Sequence, residues 1–117
     1  MKILFVEDHQ AFCIDWIHNL RDLHLEVRCL SAYNLTQARE LFVEHSDIEI
    51  IVVDGNLGAR ENGLDFVKEI RAQFKGKIIA ASSDSAICRQ MVEVGADLTC
   101  RGSKYLVPMI IKDTLAP

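Results

Sequence analysis

The sequence predicts an α/β fold in which helices cover both faces of a doubly wound, five-stranded parallel sheet. Short apolar segments rich in β-branched residues alternate five times with segments of helical periodicity. The first and third apolar segments, Ile-Leu-Phe-Val and Ile-Glu-Ile-Ile-Val-Val, are almost wholly hydrophobic, which is typical of strands buried on both faces. A length of 117 residues fits one domain spanning 1–117.

The strands are predicted where apolar, β-branched residues cluster between segments of helical spacing. In chain order they are Lys2–Val6, Leu25–Leu30, Ile48–Val53, Lys77–Ala81 and Leu98–Arg101. Strands that alternate with helices in this way form parallel pairs with right-handed crossovers. The carboxyl ends of all five strands are therefore expected at one edge of the sheet.

The helices are predicted where apolar residues recur every three or four positions and so share one face. The apolar faces of the first four consist of Phe12, Trp16, Ile17, Leu20 and Leu23; Leu35, Ala38, Leu41 and Phe42; Leu64, Phe66, Val67 and Ile70; and Ile87, Met91 and Val94. The fifth helix begins near Pro108, because proline is favoured in a first turn. The predicted helices span Gln10–Leu23, Leu35–Glu44, Leu64–Phe74, Ser85–Val94 and Pro108–Leu115.

Composition excludes several classes of protein. The net charge of −4 and the scattered lysines and arginines give this domain no electrostatic basis for binding nucleic acid. No apolar segment approaches the roughly 20 residues that span a bilayer, and no signal peptide is visible, so we expect a cytoplasmic protein without membrane contact. The four cysteines include no Cys-x-x-Cys pair, which favours core packing over a zinc site.

Polar residues follow the predicted strands at the edge where open α/β sheets bind their ligands. Glu7 and Asp8 follow the first strand, and Asp54 follows the third. Three carboxylates in one cleft repel unless a cation neutralises them, and Mg²⁺ is the usual divalent ion at an all-oxygen site. With Mg²⁺ bound, Asp54 could act as a nucleophile and form an aspartyl phosphate. Ser82 after the fourth strand and a cation after the fifth would bind the remaining phosphoryl oxygens.

Each of these residues also has an ordinary structural interpretation. Asp54 with Gly55 and Asn56 is typical turn chemistry. Asp8 could cap the first helix, and Ser82 or Asp84 could cap the fourth. It is their joint occurrence at neighbouring strand ends that favours a phosphoryl-transfer site.

The sequence resembles a response-regulator receiver domain, the phosphoacceptor half of two-component signalling, over its whole length. The similar motifs are Ile-Leu-Phe-Val-Glu7-Asp8-His9, Ile-Ile-Val-Val-Asp54, Gly63, Ala81-Ser82-Ser83 and Gly95-Ala96-Asp97. The resemblance implies a flavodoxin-like sheet with strand order 2-1-3-4-5. It also implies a signalling phosphoacceptor that catalyses only its own phosphorylation and dephosphorylation.

The resemblance assigns roles to individual residues. Asp54 would take its phosphoryl group from a histidine kinase or phosphotransfer protein, with Mg²⁺ held by Glu7, Asp8, Asp54 and the backbone carbonyl of Asn56. Ser82 would contact the phosphoryl group, and the side chains of Asn56 and Asp84 would tune its hydrolysis. Phosphorylation would alter the surface of helix 4, strand 5 and helix 5, through which a downstream protein would bind. The resemblance also allows a homodimer.

The cation of the site has two candidates. In the family a lysine ends the fifth strand and a proline normally follows it, whereas this chain continues as Cys100-Arg101-Gly102-Ser103-Lys104. Counting forward from the strand selects Arg101, and counting back from Pro108 selects Lys104. Both residues could instead be solvated loop charges.

Two other functions are compatible with parts of the pattern. A degenerate receiver would act as a protein-interaction module that is never phosphorylated, in keeping with the altered end of the fifth strand. A haloacid-dehalogenase-like phosphatase would need a second aspartate two residues after the nucleophile, where this chain has Asn56. If the chain were cut from a longer regulator, a removed output domain could add DNA binding or another activity.

Overall fold

A five-stranded parallel sheet forms the centre of the molecule. The computed structural model describes residues 1–58 and 60–116. The strands are β1 Lys2–Val6, β2 Arg28–Ala32, β3 Ile48–Val53, β4 Lys77–Ala80 and β5 Leu98–Thr99. They are ordered β2-β1-β3-β4-β5, and each neighbouring pair is parallel. The predicted doubly wound sheet with flavodoxin-like order is confirmed.

Among the described residues, four α-helices connect the strands and a fifth follows β5. They are α1 Gln10–Asp22, α2 Leu35–Glu44, α3 Gly63–Ile70, α4 Ser85–Glu93 and α5 Val107–Leu115, and a 3₁₀ turn at Lys104–Leu106 precedes α5. Three of them begin at a capping side chain: Asn34 accepts from the amide of Gln37, Asn62 from Asp65 and Asp84 from Ala86. None of the helices among the described residues combines the length and apolar character needed to cross a bilayer.

The core lies on both faces of β1 and β3. Residues Ile3–Val6 and Ile51–Val53 are fully buried, as the nearly continuous apolar sequence of both strands predicts. Trp16 and Leu20 of α1 are fully buried in this core, and so are Phe66 and Val67 of α3. Each large apolar side chain removed from water contributes about 1.5–3 kcal/mol, so the central strands are firmly fixed.

Three elements depart from their predicted bounds by two residues or more. The second strand lies at Arg28–Ala32 rather than Leu25–Leu30, because Leu25 and Val27 pack against the core from a turn. In that turn the amide of Leu25 donates to the carbonyl of Leu20, and the amide of Val27 donates to that of Leu25. The fifth strand ends at Thr99, two residues early, and α3 ends at Ile70 rather than Phe74.

Arg71, at the end of α3, bonds to the segment before β4 and to the turn before β5. Its guanidinium donates hydrogen bonds to the carbonyls of Phe74, Gly76 and Gly95 and to Oδ2 of Asp97. The same Asp97 oxygen accepts from the amide of Ile78 at 2.9 Å. The planar, five-donor guanidinium is suited to such a set of acceptors, and it ties the turn before the short β5 to β4.

Replacing Arg71 by lysine is expected to lower the free energy of unfolding by about 2 kcal/mol, because an ammonium cannot reach all four acceptors. Urea unfolding followed by circular dichroism measures the loss. Arg39→Lys is the matched control, since Arg39 pairs only with the exposed Glu69 and its loss should stay below about 0.5 kcal/mol. Equal losses for the two variants would contradict the role assigned to Arg71.

Candidate functional site

Strand pairing brings the first and third strand ends together. Val6 of β1 lies opposite Val53 of β3, and the amide of Asp54 donates to the carbonyl of Val6 at 2.8 Å. The next residue of each chain segment is an acid, so Glu7 and Asp54 follow two adjacent central strands. Both are buried, at 0% and 5% exposed. The predicted convergence of these acids is therefore a consequence of the sheet register.

The acids form one cluster with a histidine. Glu7, Asp8, His9 and Asp54 each offer a ligand atom, and these atoms all lie within 4.8 Å of one another. Nδ1 of His9 is 3.2 Å from Oδ1 of Asp8 and 3.5 Å from Oε2 of Glu7. His9 occupies the N-cap position of α1, although its side chain makes no capping hydrogen bond. Because His9 directly follows the acid pair in the sequence, its membership of the cluster could have been predicted.

Lys104 is the cation that the chain brings into this cluster. Its ammonium forms an ion pair with Oε1 of Glu7 and lies 3.4 Å from Oδ2 of Asp54, and its side chain is 10% exposed. Arg101 instead is exposed, with φ of 55°, and lines a groove with Lys77 and Asp113. Of the two candidates, only Lys104 contacts the acids.

Burial governs the electrostatics of the cluster. Removal from water raises the pKa of Glu7 to about 7, since the bond from Lys104 only partly offsets that penalty and the charge of Asp54 adds to it. Burial also acts to lower the pKa of Lys104, but the hydrogen bond to Glu7 and the charge of Asp54 outweigh it and raise that pKa. The cluster therefore contains the Lys104 ammonium, which stays protonated, and Glu7, which is poorly stabilised when ionised.

The metal-free protein should therefore lose stability as the pH rises. The pKa of Glu7 is raised from 4.5 to about 7 on folding, so its stabilising contribution is complete below pH 4.5 and is lost as the pH passes through 7. Between pH 5.5 and pH 8 this amounts to about 2 kcal/mol. Urea unfolding in EDTA measures the change. Glu7→Gln should remove the part of the pH dependence that comes from the Glu7 carboxyl. An identical pH profile for the wild type and the variant would contradict the assignment.

Ser82 lies beyond β4 and is buried at 5% exposed. Its Oγ accepts a hydrogen bond from the amide of Asp84 at 3.1 Å. Its carbonyl accepts from the thiols of Cys88 and Cys100 at 3.3 and 3.0 Å. The hydroxyl thus keeps its own hydrogen to donate, while the backbone behind it is fixed.

Asp84 and Asn56, which the sequence predicts to tune hydrolysis, both make local hydrogen bonds. Oδ1 of Asp84 accepts from the amides of Ala86 and Ile87 and caps α4. The amide of Asn56 donates to Oδ1 of Asp54 at 3.3 Å, and its own Oδ1 accepts from the amide of Gly58. Asp8, by contrast, does not cap α1, because the N-cap is His9.

The donor set fits a hard divalent cation. Oδ1 of Asp8 is buried and accepts no hydrogen bond from the described residues, whereas Oε1 of Glu7 is paired with the Lys104 ammonium. A buried carboxylate oxygen without a donor costs free energy, which a cation would recover. Carboxylate oxygens are the ligands that hard divalent ions prefer. The cluster could therefore hold such an ion.

The sequence pattern of the response regulator receiver domain family matches residues 3–100. The chain belongs to this family. Receiver domains are parts of signalling proteins rather than classical enzymes. No curated protein sequence matches this receiver domain significantly.

Solved structures share the fold at low sequence identity. A response regulator from Burkholderia pseudomallei, crystallised with a phosphorylated aspartic acid, a calcium ion and citrate, has a TM-score of 0.76 at 23% identity, covering 98% of this receiver domain and 66% of that chain. The chain thus spans about 66% of that protein's length. The receiver of a DNA-binding response regulator from Colwellia psychrerythraea has a TM-score of 0.79 at 20% identity, covering 97% and 96%. A receiver domain from Rhodospirillum rubrum has a TM-score of 0.79 at 12% identity, covering 99% and 96%.

Proposed function

We propose that this receiver accepts a phosphoryl group on Asp54, with Mg²⁺ held by Glu7, Asp8, Asp54 and the backbone carbonyl of Asn56. The observation that carries the proposal is the buried cluster of acids, with the Lys104 ammonium within it, at two adjacent strand ends. The phosphorylated aspartic acid and the calcium ion in the Burkholderia pseudomallei regulator support the same chemistry on this fold. The proposal also treats residues 1–117 as a single receiver domain.

Asp54 acts as the nucleophile. One of its carboxylate oxygens attacks the phosphorus of a phosphohistidine whose other ring nitrogen is protonated. A P–O bond forms as the P–N bond breaks, and neutral imidazole leaves with the bonding electron pair. Mg²⁺, when bound, would neutralise negative charge on the phosphoryl group during its transfer. The Asp54 side chain is held for this attack by the Asn56 amide, which donates to its Oδ1.

Lys104 and Ser82 bind the phosphoryl oxygens. The Lys104 ammonium already lies 3.4 Å from Oδ2 of Asp54, and the Ser82 hydroxyl has a hydrogen to donate. On phosphorylation, the Lys104 ammonium would exchange its contact with Glu7 for a charge-assisted hydrogen bond to the phosphoryl group. We assign this role to Lys104 rather than Arg101, because Arg101 is exposed and lines a groove with Lys77 and Asp113.

The partner that supplies the phosphoryl group is a histidine kinase or phosphotransfer protein. A groove of about 390 Å³, lined by His9, Phe12, Ser83 and Tyr105, opens beside Lys104 and gives such a donor access. The signal leaves through the face of α4, β5 and α5 to a downstream protein or a second copy. The net charge of −4 argues against nucleic acid as a partner of this domain, and we expect a cytoplasmic location.

The hydrolysis that resets the switch depends on Asn56 and Asp84. Asn56 is exposed beside Asp54, and the Asp84 carboxylate lies at the start of α4, beyond Ser82. Two polar side chains at these positions can orient an attacking water, so we expect rapid loss of the phosphoryl group.

Labelling with acetyl phosphate tests the proposal directly. Wild-type protein with Mg²⁺ should gain one phosphoryl group by intact mass, and EDTA or Asp54→Ala should abolish the gain. Asp113→Ala is the control, because Asp113 is an exposed acid on α5. Beryllofluoride, a phosphate mimic, should bind under the same conditions. Absence of both reactions in the wild type would favour a degenerate receiver. The irregular segment after β5 is the observation that suggests this alternative.

A further inference from the structure

The segment that carries Lys104 lies outside the regular sheet. The last ladder hydrogen bond on this side runs from the amide of Cys100 to the carbonyl of Ala80. Arg101 and Gly102 then adopt left-handed conformations, with φ of 55° and 84°. Lys104 is therefore separated from β5 by a tight loop, and the sheet alone does not fix the position of its ammonium.

Two aromatic residues of α1 contact Lys104 instead. Nε1 of Trp16 donates a hydrogen bond of 2.7 Å to the carbonyl oxygen of Lys104. The Trp16 side chain is fully buried and packs on Phe5, with 5.3 Å between the ring centroids. One helical turn earlier, the centroid of the Phe12 ring lies 4.3 Å from Nζ of Lys104. Backbone and side chain of Lys104 are thus both held by one helix.

The same helix starts directly after the acid pair. Glu7 and Asp8 follow β1, His9 occupies the N-cap position of α1, and Phe12 and Trp16 lie on the face of α1 that meets the Lys104 segment. The separation between the anions and the cation therefore depends on α1 rather than on the loop after β5. A cation over an aromatic face is also attracted to it, which limits the orientations of the ammonium.

From this geometry we infer that Trp16 is a positioning residue for the phosphoryl site. Its indole N–H fixes the Lys104 backbone in a position from which the ammonium reaches Glu7 and Asp54. The Phe12 ring directs the ammonium toward these two acids. The catalytic consequence rests on the proposed function of Asp54, whereas the hydrogen bond itself does not.

The hydrogen bond can be tested in the wild-type protein without any assumption about phosphorylation. Trp16 is the only tryptophan, so the indole N–H gives a single NMR signal. A buried, bonded indole should exchange with D₂O at least roughly 100-fold more slowly than free tryptophan. Exchange at the rate of the free amino acid would overturn the inference, whatever the outcome of the labelling experiment.

A double-mutant cycle tests the positioning role. Trp16→Phe keeps an aromatic ring but removes the donor, and it should slow acetyl phosphate labelling of Asp54 by roughly 3- to 10-fold. In a Lys104→Met background the same change should have no further effect, because no ammonium remains to be positioned. Equal slowing in both backgrounds would show a merely structural role for Trp16 and overturn the inference.

Phe12→Leu provides a second variant in case Trp16→Phe folds poorly. It keeps an apolar side chain of similar bulk and leaves the indole untouched, and it too should slow labelling only when Lys104 is present. Urea unfolding of each variant verifies that the folded state is compared. If the wild type takes no label at Asp54, the proposed function fails, and indole exchange alone then decides whether Trp16 holds Lys104.

Discussion

Lys104→Met is expected to slow labelling of Asp54 by acetyl phosphate about 100-fold, the usual loss when one charge-stabilising donor is removed from a buried site. The ammonium contacts both Glu7 and Asp54, and no other lysine or arginine among residues 1–58 and 60–116 makes an ion pair with either acid. Without it the incoming phosphoryl charge meets buried carboxylates with less neutralisation. Initial rates of mass gain in saturating Mg²⁺ measure the effect.

Two matched variants separate charge, shape and position. Arg101→Met removes an exposed cation from the same loop and should leave the rate within about 2-fold of wild type. Lys104→Arg keeps the charge but places a planar fork where the side chain is only 10% exposed, so intermediate activity is expected. A large loss in Arg101→Met with normal labelling of Lys104→Met would reverse the assignment of the cation.

Gly63→Ala is expected to lower the free energy of unfolding by about 3 kcal/mol, at the upper end of the usual cost of overpacking. A β-carbon at Gly63 would overlap the carbonyl oxygen of Asp54 and lie 2.6 Å from Cγ1 of Val53. Backbone atoms cannot rotate away, so α3 or the Asp54 segment must shift. Urea unfolding measures the stability, and Asp54 labelling should fall as well because the nucleophile is displaced.

Gly102→Ala is the informative comparison for that variant. Gly102 has φ of 84°, but a β-carbon there would have no heavy atom within 4 Å. Its cost is therefore conformational only, at about 1 kcal/mol. If Gly63→Ala cost no more than Gly102→Ala, the close approach of α3 to Asp54 would be disproved.

The central part of the fold could be predicted from sequence because its pattern has few alternatives. The bounds of β1, β3 and α2 agree with the prediction, since continuous apolar strands and a capped amphipathic helix leave little choice. The second strand is an edge strand in which only Ala32 is fully buried, so the apolar turn residues before it carried the stronger signal. Local pattern cannot tell an apolar residue in a turn from one in a strand.

The site was predictable only where the sheet register determines it. Glu7 and Asp54 meet because β1 and β3 are adjacent, and that follows from topology. The choice between Arg101 and Lys104 depends on a loop with two left-handed residues, whose path no periodicity describes. The bond from Trp16 to Lys104 joins residues 88 apart in sequence, and helical spacing identified Trp16 only as a core residue.

The buried indole beside Lys104 also provides an intrinsic fluorescence probe of the site. Because the chain contains one tryptophan, its emission comes from a single, water-excluded environment next to the acidic cluster. Loading the cluster with a cation or with beryllofluoride should change the quenching of that emission through the adjoining ammonium and peptide carbonyl. A fluorescence titration would then yield dissociation constants from unlabelled material, before any kinase has been identified.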